Sequence, residues 1–227
     1  MTPLCIDIET RPNYVSDDQL RAIALASKAN PKRNEESRAQ WAEDPENQVE
    51  AWSRESLSIV GARICAIAIQ GEDVRHAWAD CMDERRLLEA LAVVLRGLPG
   101  PFVWIGHNIT AFDLPILRMA AMRHDMPGLR RLLPSYRYDE AIYDNMTKAV
   151  EPAGSYSGVT ADALALALGL EGKGDLADLD FGSLYADMLQ AIDNDASEQL
   201  QKVEDIFRAR CQRDADVEWR TYLRMTK

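Results

Sequence analysis

Two acids one residue apart, Asp7 and Glu9, interrupt the apolar run Leu4-Cys5-Ile6-Asp7-Ile8-Glu9-Thr10. Successive strand side chains alternate faces, so in a β-strand Asp7 and Glu9 share one side while Ile6 and Ile8 bury on the other. Two carboxylates held that close repel each other unless a cation sits between them. Hard divalent ions such as Mg²⁺ choose all-oxygen sites of this kind. Solvated acids at a strand end give the same pattern. The pair gains meaning only if further acids join it from elsewhere in the chain.

A second candidate is Asp113, in His107-Asn108-Ile109-Thr110-Ala111-Phe112-Asp113. The apolar run Phe102–Gly106 before it reads as a buried strand, and Leu114–Arg123, with Pro115 in its first turn, reads as a helix. Asp113 thus falls at a strand-to-helix junction, on the rim where α/β folds place ligands. An Asp there also serves as a helix cap. The third candidate lies in the segment from Val203 to Val217. At helical spacing Val203, Phe207, Arg210, Asp214, Val217 and Thr221 form one stripe, so Asp214 faces inward. Asp216 shares the solvated stripe of Asp205, Ala209 and Gln212. A buried carboxylate needs a partner, and Arg210 one turn earlier is the local choice for a plain ion pair.

D-I-E-T, then H-N-x-x-x-F-D, then a C-terminal helix carrying C-x-x-D, in that order, resembles the DEDD (DnaQ-like) 3′–5′ exonucleases of the ribonuclease-H-like fold. Within that superfamily the chain looks most like stand-alone phage and prophage exonucleases related to polymerase proofreading domains. The stretch Leu57–Ile67 looks like the family's second strand, and Gly169–Asp175 resembles the loop before its late helices. The resemblance implies Asp7, Glu9, Asp113 and Asp214 as metal ligands and catalytic acids. They would hold two Mg²⁺ or Mn²⁺ ions about 3.5–4 Å apart. It further implies a single-stranded DNA 3′ end as partner, with RNA possible, and hydrolysis to nucleoside monophosphates. Thr10, Asn108, Phe112, Arg130, Arg131 and Lys173 are its candidate nucleic-acid contacts. Asp144 matches an acid often present in the family beside the ligand set.

In one place the chain departs from the family. Its third motif carries a Tyr four residues before the Asp, or a His five before, to orient the attacking water. Here those positions hold Arg210 and Ala209. Arginine cannot act as a base, though it can bind a water or neutralise the scissile phosphate, so Arg210 joins the catalytic candidates. A ribonuclease-H-like binding domain that keeps its acids but has lost turnover is the competing function class.

The elements that must position these acids read as one α/β domain spanning 1–227, a mixed five-stranded sheet flanked by helices. Strands are expected near 3–9, 60–70, 73–79, 102–107 and 139–143. Helices are expected over 84–96, with Leu87, Leu88, Leu91, Val94 and Leu95 on its apolar face, and over 160–168, ended by Gly169. Residues 17–55 carry many charges and few large apolar side chains beyond Trp41 and Trp52. They read as a helical insertion between the first two strands, either a solvated excursion or a flap whose Lys28, Lys32, Arg33 and Arg38 touch phosphates.

A formal charge of −11 opposes non-specific duplex affinity, which is built on Lys and Arg. The charge is uneven, however. Between Leu114 and Arg137 stand Arg118, Arg123, Arg130, Arg131 and Arg137 against Asp125 alone, either a grip for a strand end or a solvated face. The four cysteines show no C-x-x-C zinc spacing. With neither a signal peptide nor a membrane-spanning stretch in the sequence, the expected compartment is the cytoplasm. Lys173, between Gly172 and Gly174, sits outside any P-loop pattern. The sequence names no protein partner.

Overall fold

A computed structural model describes residues 1–13, 17–27, 30, 34–135, 140–150, 159–174 and 180–227. Five strands form one sheet in the order β3-β2-β1-β4-β5: β1 Thr2–Pro12, β2 Ala62–Gln70, β3 Arg75–Ala79, β4 Phe102–Gly106 and β5 Ile142–Asp144. β2 and β3 are antiparallel, whereas β1 and β5 both run parallel to the β4 between them. This is the expected α/β class: a mixed five-stranded sheet of ribonuclease-H-like topology, flanked by helices.

Register decides where the acids gather. Thr2 to Cys5 of β1 pair with Phe102 to Ile105 of β4, and Gly106 of β4 pairs with Asp144 of β5. Asp7 and Glu9 therefore lie beyond the last residue of β1 that pairs with β4. They stand at the same carboxyl edge as the loop after Gly106 and as Asp144. Parallel strands collect ligand-binding residues at that edge. The alternation in β1 holds: Ile6 and Ile8 are buried while Asp7 and Glu9 keep partial exposure on the opposite face.

The chain divides into two compact units. The first comprises Met1–Glu9, Ile64–Leu179 and Glu204–Lys227. It holds α4 (Glu84–Gly97), α5 (Asp113–Arg123), α6 (Pro127–Leu132), α7 (Asn145–Val150), α8 (Ala161–Ala167) and most of α10 (Ser197–Thr226). Its core includes Leu4, Ile6, Ile64, Ile67, Leu88, Leu91, Trp104 and Phe207. α4 is capped by Asp83, whose side chain accepts from the Arg86 N–H, and buries Leu87, Leu88, Leu91, Ala92 and Leu95. The stop expected after 160–168 is present: Gly169, just past α8, adopts φ +73, a conformation that L residues with a Cβ rarely take.

The second unit comprises Thr10–Arg63 and Asp180–Val203. It contains α1 (Asp17–Ala26), α2 (Glu35–Ala42), α3 (Pro45–Arg54), a 3-10 turn over Glu55–Leu57 and α9 (Phe181–Asp193). Ala24, Ala42 and Ala51 form a small core with Ile23 and Trp41 against it. Trp52 is buried, gives its Nε1–H to Asn13 O at 2.8 Å, and meets Tyr185 edge-on at 6.1 Å. α1, α2 and α3 thus follow β1 and precede β2 in the chain. Lys28, Lys32 and Arg33 lie outside the described residues, and Arg38 gives its guanidinium to Leu25 O. Among the described residues no helix is long and apolar enough to cross a membrane.

Candidate metal centre

Three expected ligands converge. Asp7 and Glu9 from β1 and Asp214 from α10 each offer a carboxylate oxygen, and these oxygens lie within 4.8 Å of one another. The β1 alternation places the first two side by side. The inward stripe of α10 supplies the third: the Asp214 side chain is only 6% exposed. Asp216, on the neighbouring stripe, instead pairs with Arg75 at 2.5 Å. Phe207 and Cys211 of α10 are fully buried, and Cys211 Sγ lies 3.1 Å from Asp7 O, which fixes α10 against β1.

Asp113 stands at the start of α5, buried, and its Oδ1 accepts the Ile8 N–H at 3.2 Å. It therefore touches β1 between Asp7 and Glu9 but lies outside the 4.8 Å trio. The loop that delivers it is anchored by Asp144. That carboxylate accepts from Asn108 N–H at 3.0 Å, from Thr110 N–H at 3.2 Å and from Thr110 Oγ1 at 2.8 Å. Asn108 takes the left-handed φ of 61 that turns the chain there. Gly106 is needed just before, since a Cβ on it would come within 2.8 Å of the Ile109 Cβ.

A fifth acid belongs to the site although the stripe reading passed over it. Glu218, one turn beyond Asp214 on α10, is buried; its Oε2 is 3.7 Å from Cys5 Sγ. It also accepts the His107 backbone N–H and acts electrostatically on Asp7, Asp113 and Asp214. Its i, i+4 relation to Asp214 was the signal that could have found it.

So many carboxylates in one place change their acidity. Desolvation, reinforced by Glu218, Asp214, Asp113 and Glu9, pushes Asp7 well above the carboxylate range. Burial does the same to Glu218, aided by Asp113 and Asp214. Asp113 rises to about 8, driven by burial and opposed by its bond from Ile8. Glu9 rises to about 7, because burial outweighs the opposing charges of Arg210 and Lys173.

Two cations answer these acids. Arg210 Nε lies 3.0 Å from Glu9 Oε1 and 3.8 Å from Asp214 Oδ2, so the helical i, i+4 pair is its longer contact. Lys173 Nζ lies 2.6 Å from Asp214 Oδ2 with its side chain 15% exposed. Burial works against the Lys173 charge, but Asp214 beside it prevails and holds the ammonium above its usual range. Even so, Asp7 Oδ2 and Asp214 Oδ1 are buried with no hydrogen-bond partner among the described residues. Orphaned carboxylate oxygens inside an all-oxygen trio suit a hard divalent ion. The residues fit such a group.

The remaining candidates divide. Arg130 and Arg131 on α6 are exposed. Arg118 is spent on Leu133 O and Pro134 O, and Arg123 on Glu84. Arg137 lies outside the described residues. Thr10 is buried, giving its hydroxyl to Ser56 O at 2.6 Å and accepting from Tyr185 OH at its carbonyl. Phe112 is partly exposed immediately before Asp113. His107 gives Nε2–H to Val159 O at 2.7 Å, and burial lowers its pKa, so the ring is neutral. All four cysteines are buried. No family model, curated protein or solved structure matches the chain.

Proposed function

We propose that this protein is a divalent-metal-dependent 3′–5′ exonuclease of the DEDD type, shortening single-stranded DNA from its 3′ end. The observation that carries the reading is the meeting of Asp7, Glu9 and Asp214 within 4.8 Å on a ribonuclease-H-like sheet. Asp7, Glu9 and Asp214 would hold the ion, and Asp113, braced on the Ile8 N–H, would face it from α5. When bound, the ion supplies the Lewis-acid charge that phosphodiester hydrolysis needs beside the scissile phosphate.

The chain's own residues do the rest. Arg210 holds Glu9 and can donate to a phosphate oxygen, but it takes no proton at neutral pH. Asp144 keeps the 107–112 loop closed, so Asp113 and Phe112 are presented together, the ring available to stack on a terminal base. Arg130 and Arg131 offer two exposed charges to the strand's backbone.

A second reading has one observation of its own. Arg210 and Lys173 already balance Glu9 and Asp214, as a binding domain without turnover would require. Incubating a 5′-labelled single strand with the protein and Mn²⁺, with a chelator control, separates the two. A ladder receding from the 3′ end supports the exonuclease; an intact strand with measurable binding supports the accessory domain.

A further inference from the structure

Lys173 was a candidate phosphate contact in the sequence, yet its ammonium points into the carboxylates. The loop that carries it is built to keep it there. Its backbone N–H gives to Asp162 Oδ1 at 2.6 Å. A Cβ on Gly172 would lie 2.0 Å from that same Asp162 oxygen, so a side chain there would displace the carboxylate that holds Lys173 N–H. Gly172 O accepts from Arg213, the residue just before Asp214, at 2.5 Å, and Glu171 O accepts from Arg220 at 3.2 Å. The loop is therefore clasped to α10 on both sides of Asp214, and the Lys173 Nζ to Asp214 Oδ2 contact is its end point.

The distribution of partners around the trio is lopsided. Asp214 Oδ2 is taken by Lys173, and Glu9 Oε1 by Arg210. Asp7 Oδ2 and Asp214 Oδ1 stay buried without a hydrogen-bond partner among the described residues. Two oxygens of the trio thus already have cations from the protein, and two others, both buried, have none. We propose that the cluster takes one divalent ion rather than two, with the Lys173 ammonium built in as the second cation against Asp214. This rests on the metal-site reading above and sets its stoichiometry.

The test counts ions rather than products. Mn²⁺ binding is followed by calorimetry and electron paramagnetic resonance, with and without thymidine 5′-monophosphate, for the parent, Lys173→Met and Lys173→Arg. The parent should bind one Mn²⁺ per chain in both conditions, with no Mn–Mn coupling in its spectrum. Lys173→Met should admit a second, coupled Mn²⁺, and Lys173→Arg should remain at one. Two coupled ions in the parent overturn the proposal. A Met variant that binds a single ion with unchanged affinity also overturns it, leaving Lys173 as a strut. Absence of Mn²⁺ binding in every variant sinks this inference and the metalloenzyme together. One ion in the parent and two in Lys173→Met, with no strand shortening, sinks the nuclease reading alone.

Discussion

Arg210 and Glu9, 201 positions apart in the chain, meet at 3.0 Å between Nε and Oε1, each with its side chain 13% exposed. The contact ties the middle of α10 to the end of β1. Arg210→Ala should leave a largely buried Glu9 without its nearest cation. Unfolding should become easier by up to about 3 kcal/mol, the low end for orphaning a buried charge because Glu9 can take up a proton. Arg210→Tyr, offering a hydroxyl to orient water, should raise turnover above that of the Ala variant. Chemical denaturation and initial rates on a labelled strand check both. Equal stability and equal rates in all three proteins would remove Arg210 from the site.

Glu218 should prove costly to the ion-free fold. It is buried among Asp7, Asp113 and Asp214 and raises the proton affinity of Asp7. Glu218→Gln keeps an oxygen for the His107 N–H and removes an acid whose ionisation burial and its neighbours disfavour. Without ions, at pH 8, the variant should gain about 1–2 kcal/mol, or roughly 3–6 °C in melting temperature for a chain of this size. Divalent-ion affinity should fall several-fold. A melting point below that of the parent in chelator would show that Glu218 is paired rather than crowded.

The pH dependence of the ion-free protein follows from Glu9, raised from 4.5 to about 7, and Asp113, raised from 3.8 to about 8. The fold keeps both protons after the unfolded chain has released its own. Their contribution to stability is thus full below the unfolded values, is lost as pH rises through the folded ones, and levels off above about 8. Melting temperature in chelator should fall across that window. Saturating Mg²⁺ should reverse the slope, because the bound form needs the carboxylates ionised. Thermal melts at half-unit pH steps, with and without Mg²⁺, decide it; parallel curves would mean that no ion meets these acids.

The exposed pair on α6 tests the grip on substrate. Replacing Arg130 and Arg131 by Ala should weaken single-strand binding and flatten its salt dependence by about 0.7 in the log–log slope for each phosphate no longer neutralised. Mn²⁺ affinity should be unchanged. A salt slope equal to the parent's would return the pair to ordinary solvated surface.

How far the sequence carried depended on the range of the interaction. Asp7, Glu9 and Asp214 were legible because strand and helix periodicity turn spacing into faces, and Ile6, Ile8 and Phe207 bury as those periods require. Glu218 obeyed the same period but was masked by the apolar Val217 beside it. Lys173 was out of reach, because its direction depends on Asp162 and Arg213, partners brought in by tertiary folding. The same holds for Thr10, whose bonds to Ser56 and Tyr185 span 46 and 175 positions and turn an apparent motif residue into a buried one.

The proposed function rests on the Asp7, Glu9 and Asp214 trio, with Asp214 rather than Asp216 as its third member. The most direct measurement is the rate at which a 5′-labelled single strand shortens in Mn²⁺ with the parent, Asp214→Ala and Asp216→Ala. Asp216 touches Arg75 and Gln212, so its loss should leave the rate within about threefold, under 1 kcal/mol of barrier. Loss of Asp214 should cut it by on the order of a thousandfold or more, about 4 kcal/mol. A parent that never shortens the strand, or an Asp214→Ala variant as active as the parent, would contradict the trio's role.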